Sequence, residues 1–313
     1  MTRASTGIVL AVLVALAAPL IVGHSFYINV ASQVLIAAIL ALSLNLLVGY
    51  AGLTSLGHAA FLGLGAYSVA WLTVNTSLGP LLSVTLGLCI VIAVAALFGM
   101  MALRATGITF LMITLALGQT LWGVAYRFTA LTGGDNGIPG IRRPVLLGFD
   151  LGDPRAFYIT MVLLFLVAFG AMHLFVRSGL GMSLQGARDQ PRRMRALGHN
   201  VRLIQWLAFV IAGFWGGIAG VAFLYYHGFI SPHAMGLPSS AEALLMVIAG
   251  GAGTLAGPVV GAFIVVVLKT VVSAYVTRWM TLLGVTFVLI VVFLPEGMVP
   301  GLDKLRRRMR LSA

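Results

Sequence analysis

RSGLGMSLQGARDQPRRMRALGHNVR, residues 177–202, lies between FYITMVLLFLVAFGAMHLFV (157–176) and LIQWLAFVIAGFWGGIAGVAF (203–223), two runs that read like hydrocarbon. Six arginines (Arg177, Arg188, Arg192, Arg193, Arg195 and Arg202) stand against Asp189 alone, a net charge of +5. An arginine at the centre of a bilayer costs about 2.5–3.5 kcal/mol even on the lenient insertion scale, so this island must be an aqueous loop between two spans. Its arginines assign it to the cytoplasmic face. Residues 183–197 are helix formers and Gly198 reads as the stop, which predicts one short polar helix held between two spans. Such a helix is a natural handle for another protein.

The composition carries this reading to the whole chain. Of 313 residues, 60% are hydrophobic and 8% charged, and mean hydropathy is +1.08. Soluble domains carry about 25% charged residues. The chain is therefore read as an all-α polytopic membrane protein, a single transmembrane domain over 1–313. The net charge of +12 comes from arginines at span ends, in the island and in a basic tail (296–313). It points to topology and anionic lipid headgroups rather than nucleic acid. Cys89 can form no disulfide within the chain, and six scattered histidines lack ligand spacing, so no metal site is expected.

Working outward from the island, spans are expected at 7–22, 26–48, 49–74, 81–103, 108–125 and 157–176 before it, with a signal peptide as the alternative for the first. A polar loop at 127–156 has nearly cancelling charges, which suits the opposite face. After the island come 203–223, an interfacial segment at 225–240, and three apolar stretches at 241–250, 259–276 and 281–294. Lys304, Arg306, Arg307, Arg308 and Arg310 make the tail cytoplasmic. About ten transmembrane helices, with both termini cytoplasmic, is the count that closes. Merging two of the last three would put the tail on the wrong face.

Two of these spans are interrupted. GYAGLTSLGHAAFLG (49–63) and GGAGTLAGPVVGAF (250–263) share a Gly-rich break, a Thr/Ser–Leu step and a following apolar run. Paired interrupted segments in two halves point to a midplane pathway and a candidate inverted repeat; compositional bias is the competing explanation. Asn45, Gly52, Ser55, His58, Gln119, Gly253 and Thr254 are the candidate translocation-path residues. Each has a plainer reading: hydroxyls and His58 satisfying backbone freed by glycine, Asn45 and Gln119 holding helices together. Glu242 could serve a helix dipole, and Lys269 could snorkel or face the bundle. Gly213 with Gly217, and Gly216 with Gly220, offer small-residue stripes for close helix contact.

Catalytic chemistry is missing from the sequence. No phosphate-binding Gly-x-x-x-x-Gly-Lys-Ser/Thr exists, and no acid/base pair or nucleophile arrangement is present. The chain reads as a conduit without its own motor, not an enzyme. Seven acids, with only Glu242 near membrane depth, leave little for a proton relay.

LSLNLLVGYAGLTSLGHAAFLGLGAY (42–67), TGGDNGIPG (132–140), ARDQPRRMRALGHNV (187–201) with LAFVIAGFWGGIAG (207–220), and GGAGTLAGPVVGA (250–262) together resemble branched-chain amino acid ABC transporter permeases of the LivM type. The resemblance runs from about residue 42 to 295. It implies a type II-like importer permease, akin in architecture to the cobalamin importer permease, in the bacterial inner membrane. It also implies a LivH-type second permease, two cytoplasmic ATPase subunits holding ATP and Mg, a periplasmic solute-binding protein, and no cofactor in this chain. The family's ATPase-coupling motif falls on Arg188, Asp189, Pro191, Arg192, Arg193, Ala196, Leu197 and Gly198. Where family members often carry an acid, this chain has Gln190, which puts one ion pair with the ATPase in doubt. The same family includes permeases for urea, short-chain amides and other amino acids. A secondary transporter, which should show intramembrane acids or an ion site, and a channel or scaffold, which should work without ATPases, are the alternatives from other classes.

Overall fold

The computed structural model describes residues 24–146 and 149–273, and beyond them 281–282, 284–285, 288–289, 292 and 297–301. The expected first span, half of the tenth and the arginines of the tail lie outside the described residues. The helices are α1 (Ser25–Asn45, continued by a π segment, Leu46–Ala51), α2 (Ala59–Asn75), α3 (Pro80–Ala102), α4 (Ile108–Arg127), α5 (Pro154–Arg177), α6 (Gly179–Asp189), α7 (Pro191–Ala196), α8 (Val201–His227), α9 (Leu237–Gly250) and α10 (Ala256–Val267, continued by a π segment, Leu268–Val272). Five of them, α1 with its π segment, α3, α4, α5 and α8, are long and apolar enough to cross a membrane; α2, α9 and α10 are shorter apolar helices.

One expectation is corrected, and two segments gain detail. The helix expected over 183–197 is two helices, broken at Gln190 (φ −144°, ψ 77°). Proline disfavours helical geometry in the residue before it and is itself well placed at the first position of α7. The segment at 225–240 is mostly helical: α8 runs to His227, a 3₁₀ turn spans Pro232–Met235, and α9 begins at Leu237. The polar loop at 127–156 is ordered. It holds one helical turn (Thr129–Thr132), a 3₁₀ turn (Gly134–Asn136) and a small antiparallel hairpin, β1 (Val145–Leu146) with β2 (Phe149–Asp150).

That loop is tied to the far end of α8, the end away from the island. Ile138 and Ile230 exchange backbone hydrogen bonds of 2.9 and 3.1 Å. Arg143 donates to the carbonyls of Tyr225 (2.9 Å) and Tyr226 (3.3 Å) and lies 4.2 Å above the Phe157 ring. A cation on the last carbonyls of a helix satisfies groups that have no partner within the helix and complements its dipole.

The most apolar window of α1 is 89% buried and that of α8 72%, against 22% for α3, α4 and α5. The first two are therefore the spine, and the other three turn apolar side chains such as Leu81, Met112 and Leu163 outward. A helix that is apolar all round belongs inside. The glycine stripes of α8 serve different neighbours. Gly213 and Gly217 meet Ala95 and Val91 of α3, while Gly216 and Gly220 meet Phe61 and Leu62 of α2. A Cβ at Gly220 would fall 1.9 Å from the Leu62 carbonyl oxygen, whereas one at Gly123 would meet nothing within 4 Å. Gly220→Ala is therefore expected to destabilise the purified protein by about 1–3 kcal/mol. Gly123→Ala should be neutral or slightly stabilising. Thermal melts in one detergent check this, and equal melting of the two variants would remove the close α2–α8 approach as a source of stability.

Candidate functional site

The two glycine-rich breaks meet. α1 passes through its π segment and ends at Gly52, which is left-handed (φ 69°), and residues 52–58 carry no helix until α2 begins. α9 ends at Gly250, and residues 251–255 are irregular before α10. Thr254 shapes that turn, its hydroxyl donating to the Gly251 carbonyl (2.8 Å) and accepting from the Gly257 N–H (3.1 Å).

Breaks of this kind free backbone groups that a bilayer interior cannot hydrate. Asn45, fully buried on α1, supplies partners for two of them. Its Nδ2 donates to the Thr254 carbonyl and its Oδ1 accepts from the Gly253 N–H, both at 2.9 Å. The backbones touch here, since a Cβ on Gly49 would lie 2.2 Å from the Gly253 nitrogen. We call this contact the knot.

The charged island reaches it directly. Arg188, in the last turn of α6, donates from Nη1 to the Gly49 carbonyl (2.5 Å) and from Nε to Asp189 Oδ1 (2.8 Å). Its alkyl stem crosses Gly52, where a Cβ would lie 2.6 Å from Cγ. Hydrogen bonds from a guanidinium are roughly twice as strong as neutral ones. Within the coupling motif, Arg188 points inward to Gly49. Pro191 opens α7, and Arg192, Arg193, Ala196, Leu197 and Gly198 are exposed. Leu197 is 73% exposed, and Gly198 (φ 85°) follows the end of α7.

Of the other path candidates, Ser55 is buried and its hydroxyl accepts from the Gly57 N–H (3.4 Å). His58 is fully buried, 2.8 Å from the Ser43 hydroxyl. That hydroxyl also donates to the Leu40 carbonyl (2.7 Å). One hydroxyl proton cannot serve both, so the geometry fits the tautomer with its proton on Nε2, and Nδ1, the acceptor, has no hydrogen-bond partner among the described residues. His58 thus belongs to a buried pair above the knot rather than to the glycine backbone. Gln119 is half-buried on α4, with no hydrogen bond joining it to the knot among the described residues.

Both first helices of the matched motifs, α1 and α9, start at the far end and finish at the knot. The first helices of these two units run in the same direction. A further pairing escaped the sequence reading. Lys269 Nζ lies 2.9 and 3.0 Å from the two carboxylate oxygens of Glu242, joining α10 to α9 near the far end. Among the described residues, no group of three or more His, Cys, Asp and Glu side chains could hold a metal ion.

Comparison with known proteins shows the family of the chain. Residues 26–294 match the family described as branched-chain amino acid transport system / permease component. The chain is 29% identical over 296 residues to the high-affinity branched-chain amino acid transport system permease protein LivM of Escherichia coli K12, covering 87% of this chain and 70% of that protein. The LivM protein of Salmonella typhimurium matches to the same extent. The LivH permease protein of Salmonella typhimurium is 26% identical over 139 residues, 43% of this chain and 45% of that protein. No solved structure matches the chain. With the match running through α1 to α10 and both breaks, this multi-pass membrane protein belongs to the family of permease components of branched-chain amino acid transport systems.

Proposed function

We propose that this chain is one permease subunit of an ATP-driven importer in the bacterial inner membrane, and that it carries branched-chain amino acids. The substrate class is supported by the names of its relatives, and a LivH-type permease as the second subunit by the LivH similarity. Two cytoplasmic ATPases holding ATP and Mg would supply the energy and a periplasmic solute-binding protein the substrate, with no cofactor in this chain. The topology is ten spans with both termini cytoplasmic, the matched break motifs running in parallel.

The observation that carries the mechanism is the bond from Arg188 to Gly49. The exposed surface of α7, with Arg192, Arg193, Ala196 and Leu197, would seat in a cleft of an ATPase subunit. Gly198 lets the chain turn back toward α8. When the ATPases close, α6 and α7 move as a handle, and Arg188 passes that movement to the π segment of α1 and so to the knot. Packed elements with two arrangements convert small shifts into alternating access. Asn45, Gly52, Gly253 and Thr254 are then the inner gate, Ser55 and His58 its support, and Gln119 a more distant wall.

Two outcomes are expected. In proteoliposomes containing the whole complex and binding protein, labelled leucine, isoleucine and valine should enter only with ATP. Arg188→Ala should lower uptake about tenfold while leaving ATP hydrolysis in place, as expected when a coupling of 1–3 kcal/mol is lost. Uptake that survives removal of the ATPases would favour a secondary transporter instead. Asn45→Leu strands two buried backbone groups at about 1–3 kcal/mol each. It should speed hydrogen exchange over residues 251–257 more than elsewhere; a uniform change would mean that Asn45 supports the fold but not the knot.

A further inference from the structure

A second polar site lies at the far end of the molecule. A cavity of about 320 Å³ opens between α1, α8, α9 and α10, within the range of roughly 300–1,000 Å³ typical of small-molecule sites. Its inner part is apolar: Ile36 and Leu40 from α1, Leu62 from α2, Met246 from α9, Val265 and Val266 from α10. Its outer part carries Gln33, Ser231, Ser239 and His233, and the Glu242–Lys269 pair lies in the wall. Leu40, Leu62 and Met246 are buried and close the inner end. Beyond them come the Ser43–His58 pair and then the knot, so the cavity stands above the proposed inner gate.

The chemistry of the wall is selective. Glu242 and Lys269 face one space with opposite charges, and their side chains remain 25% and 43% exposed. A partly hydrated ion pair of this kind contributes little to stability on its own, yet charges at this depth of a membrane protein are expensive and mark ligand paths. Lys269 also sits on the π segment Leu268–Val272, a helix irregularity common at functional sites. A cation or an anion would satisfy one of the two charges and be repelled by the other. An uncharged amide would satisfy neither. A zwitterion inserted between them exchanges one ion pair for two.

We propose that this cavity is a binding subsite for a free aliphatic α-amino acid, its ammonium on the Glu242 carboxylate, its carboxylate on the Lys269 ammonium and its side chain against Leu40, Leu62, Met246 and Val266. The proposal rests on the reading of this chain as an amino-acid permease and adds that the permease itself recognises the substrate. It separates amino acids from the urea and amide substrates of the wider family.

The test uses the whole transporter complex in lipid nanodiscs, without binding protein, and labelled leucine up to millimolar concentrations. Leucine should bind, leucinol and 4-methylpentanoate (each lacking one charge) should fail to compete, and Glu242→Gln or Lys269→Gln should weaken binding about tenfold or more. The exchanged pair Glu242→Lys with Lys269→Glu keeps an ion pair between α9 and α10 but reverses its polarity. Loss of leucine binding in this variant, with its melting temperature retained, separates recognition from structure. Wild-type complex that imports leucine with ATP yet binds none here would overturn the subsite and leave the transport reading intact. Binding restored by the exchanged pair, or leucinol competing as well as leucine, would also overturn it. A complex that binds leucine here but imports none would leave the subsite standing and sink the importer.

Discussion

A lipid interior gives a freed backbone group no water to bond, and that constraint decides where this molecule can be irregular. Both breaks depend on one side chain. The carboxamide of Asn45 offers a donor and an acceptor in one plane, the pair that the Thr254 carbonyl and the Gly253 N–H require. Glycine at 49 and 253 lets the two backbones approach closely enough for one asparagine to span them. With those groups satisfied, non-helical chain can exist deep in the protein, and Arg188 has a carbonyl to hold. Without them the two halves would have no shared centre.

α1 organises the rest because it is covered on almost every side. Ser32 and Ser43 bond back to carbonyls of their own helix, at 2.9 and 2.7 Å, and so travel inside at little penalty. Gln33 accepts from the Thr270 hydroxyl (3.2 Å) and ties the far end of α1 to the π segment of α10. Down one helix there follow the cavity wall, the buried Ser43–His58 pair, the knot and the arginine contact. A movement of the handle at one end therefore acts on the element that lines the cavity at the other.

Much of this was legible in the sequence. Long apolar runs located α1, α3, α4, α5 and α8 to within a few residues, because their length and uniform hydropathy leave no alternative. The glycine stripes of α8 announced close contact, although periodicity alone could not say that one faces α2 and the other α3. Pro191 carried the signal for a break after Gln190, and the helix formers around it concealed that signal. The inward turn of Arg188 was not readable, since a count of charges gives the side of the membrane and no direction. Glu242 and Lys269 could have been paired: an acid and a lysine at the same depth in lipid rarely stay apart. The partners of Asn45 could not be found, because nothing local relates residue 45 to residue 254.

That separation of 209 residues has a consequence for biogenesis. At about 5–20 residues per second, a ribosome needs roughly 10–40 s to travel from Asn45 to Thr254. Through that interval α1 is already made, its carboxamide has no partner, and its apolar surface waits for α8, α9 and α10. The nascent chain must keep its spine in a sheltered place, at the insertion machinery or against provisional neighbours, until the second break arrives. Truncation before residue 254 leaves the Asn45 carboxamide without its second break and the face of α1 that packs on α10 uncovered.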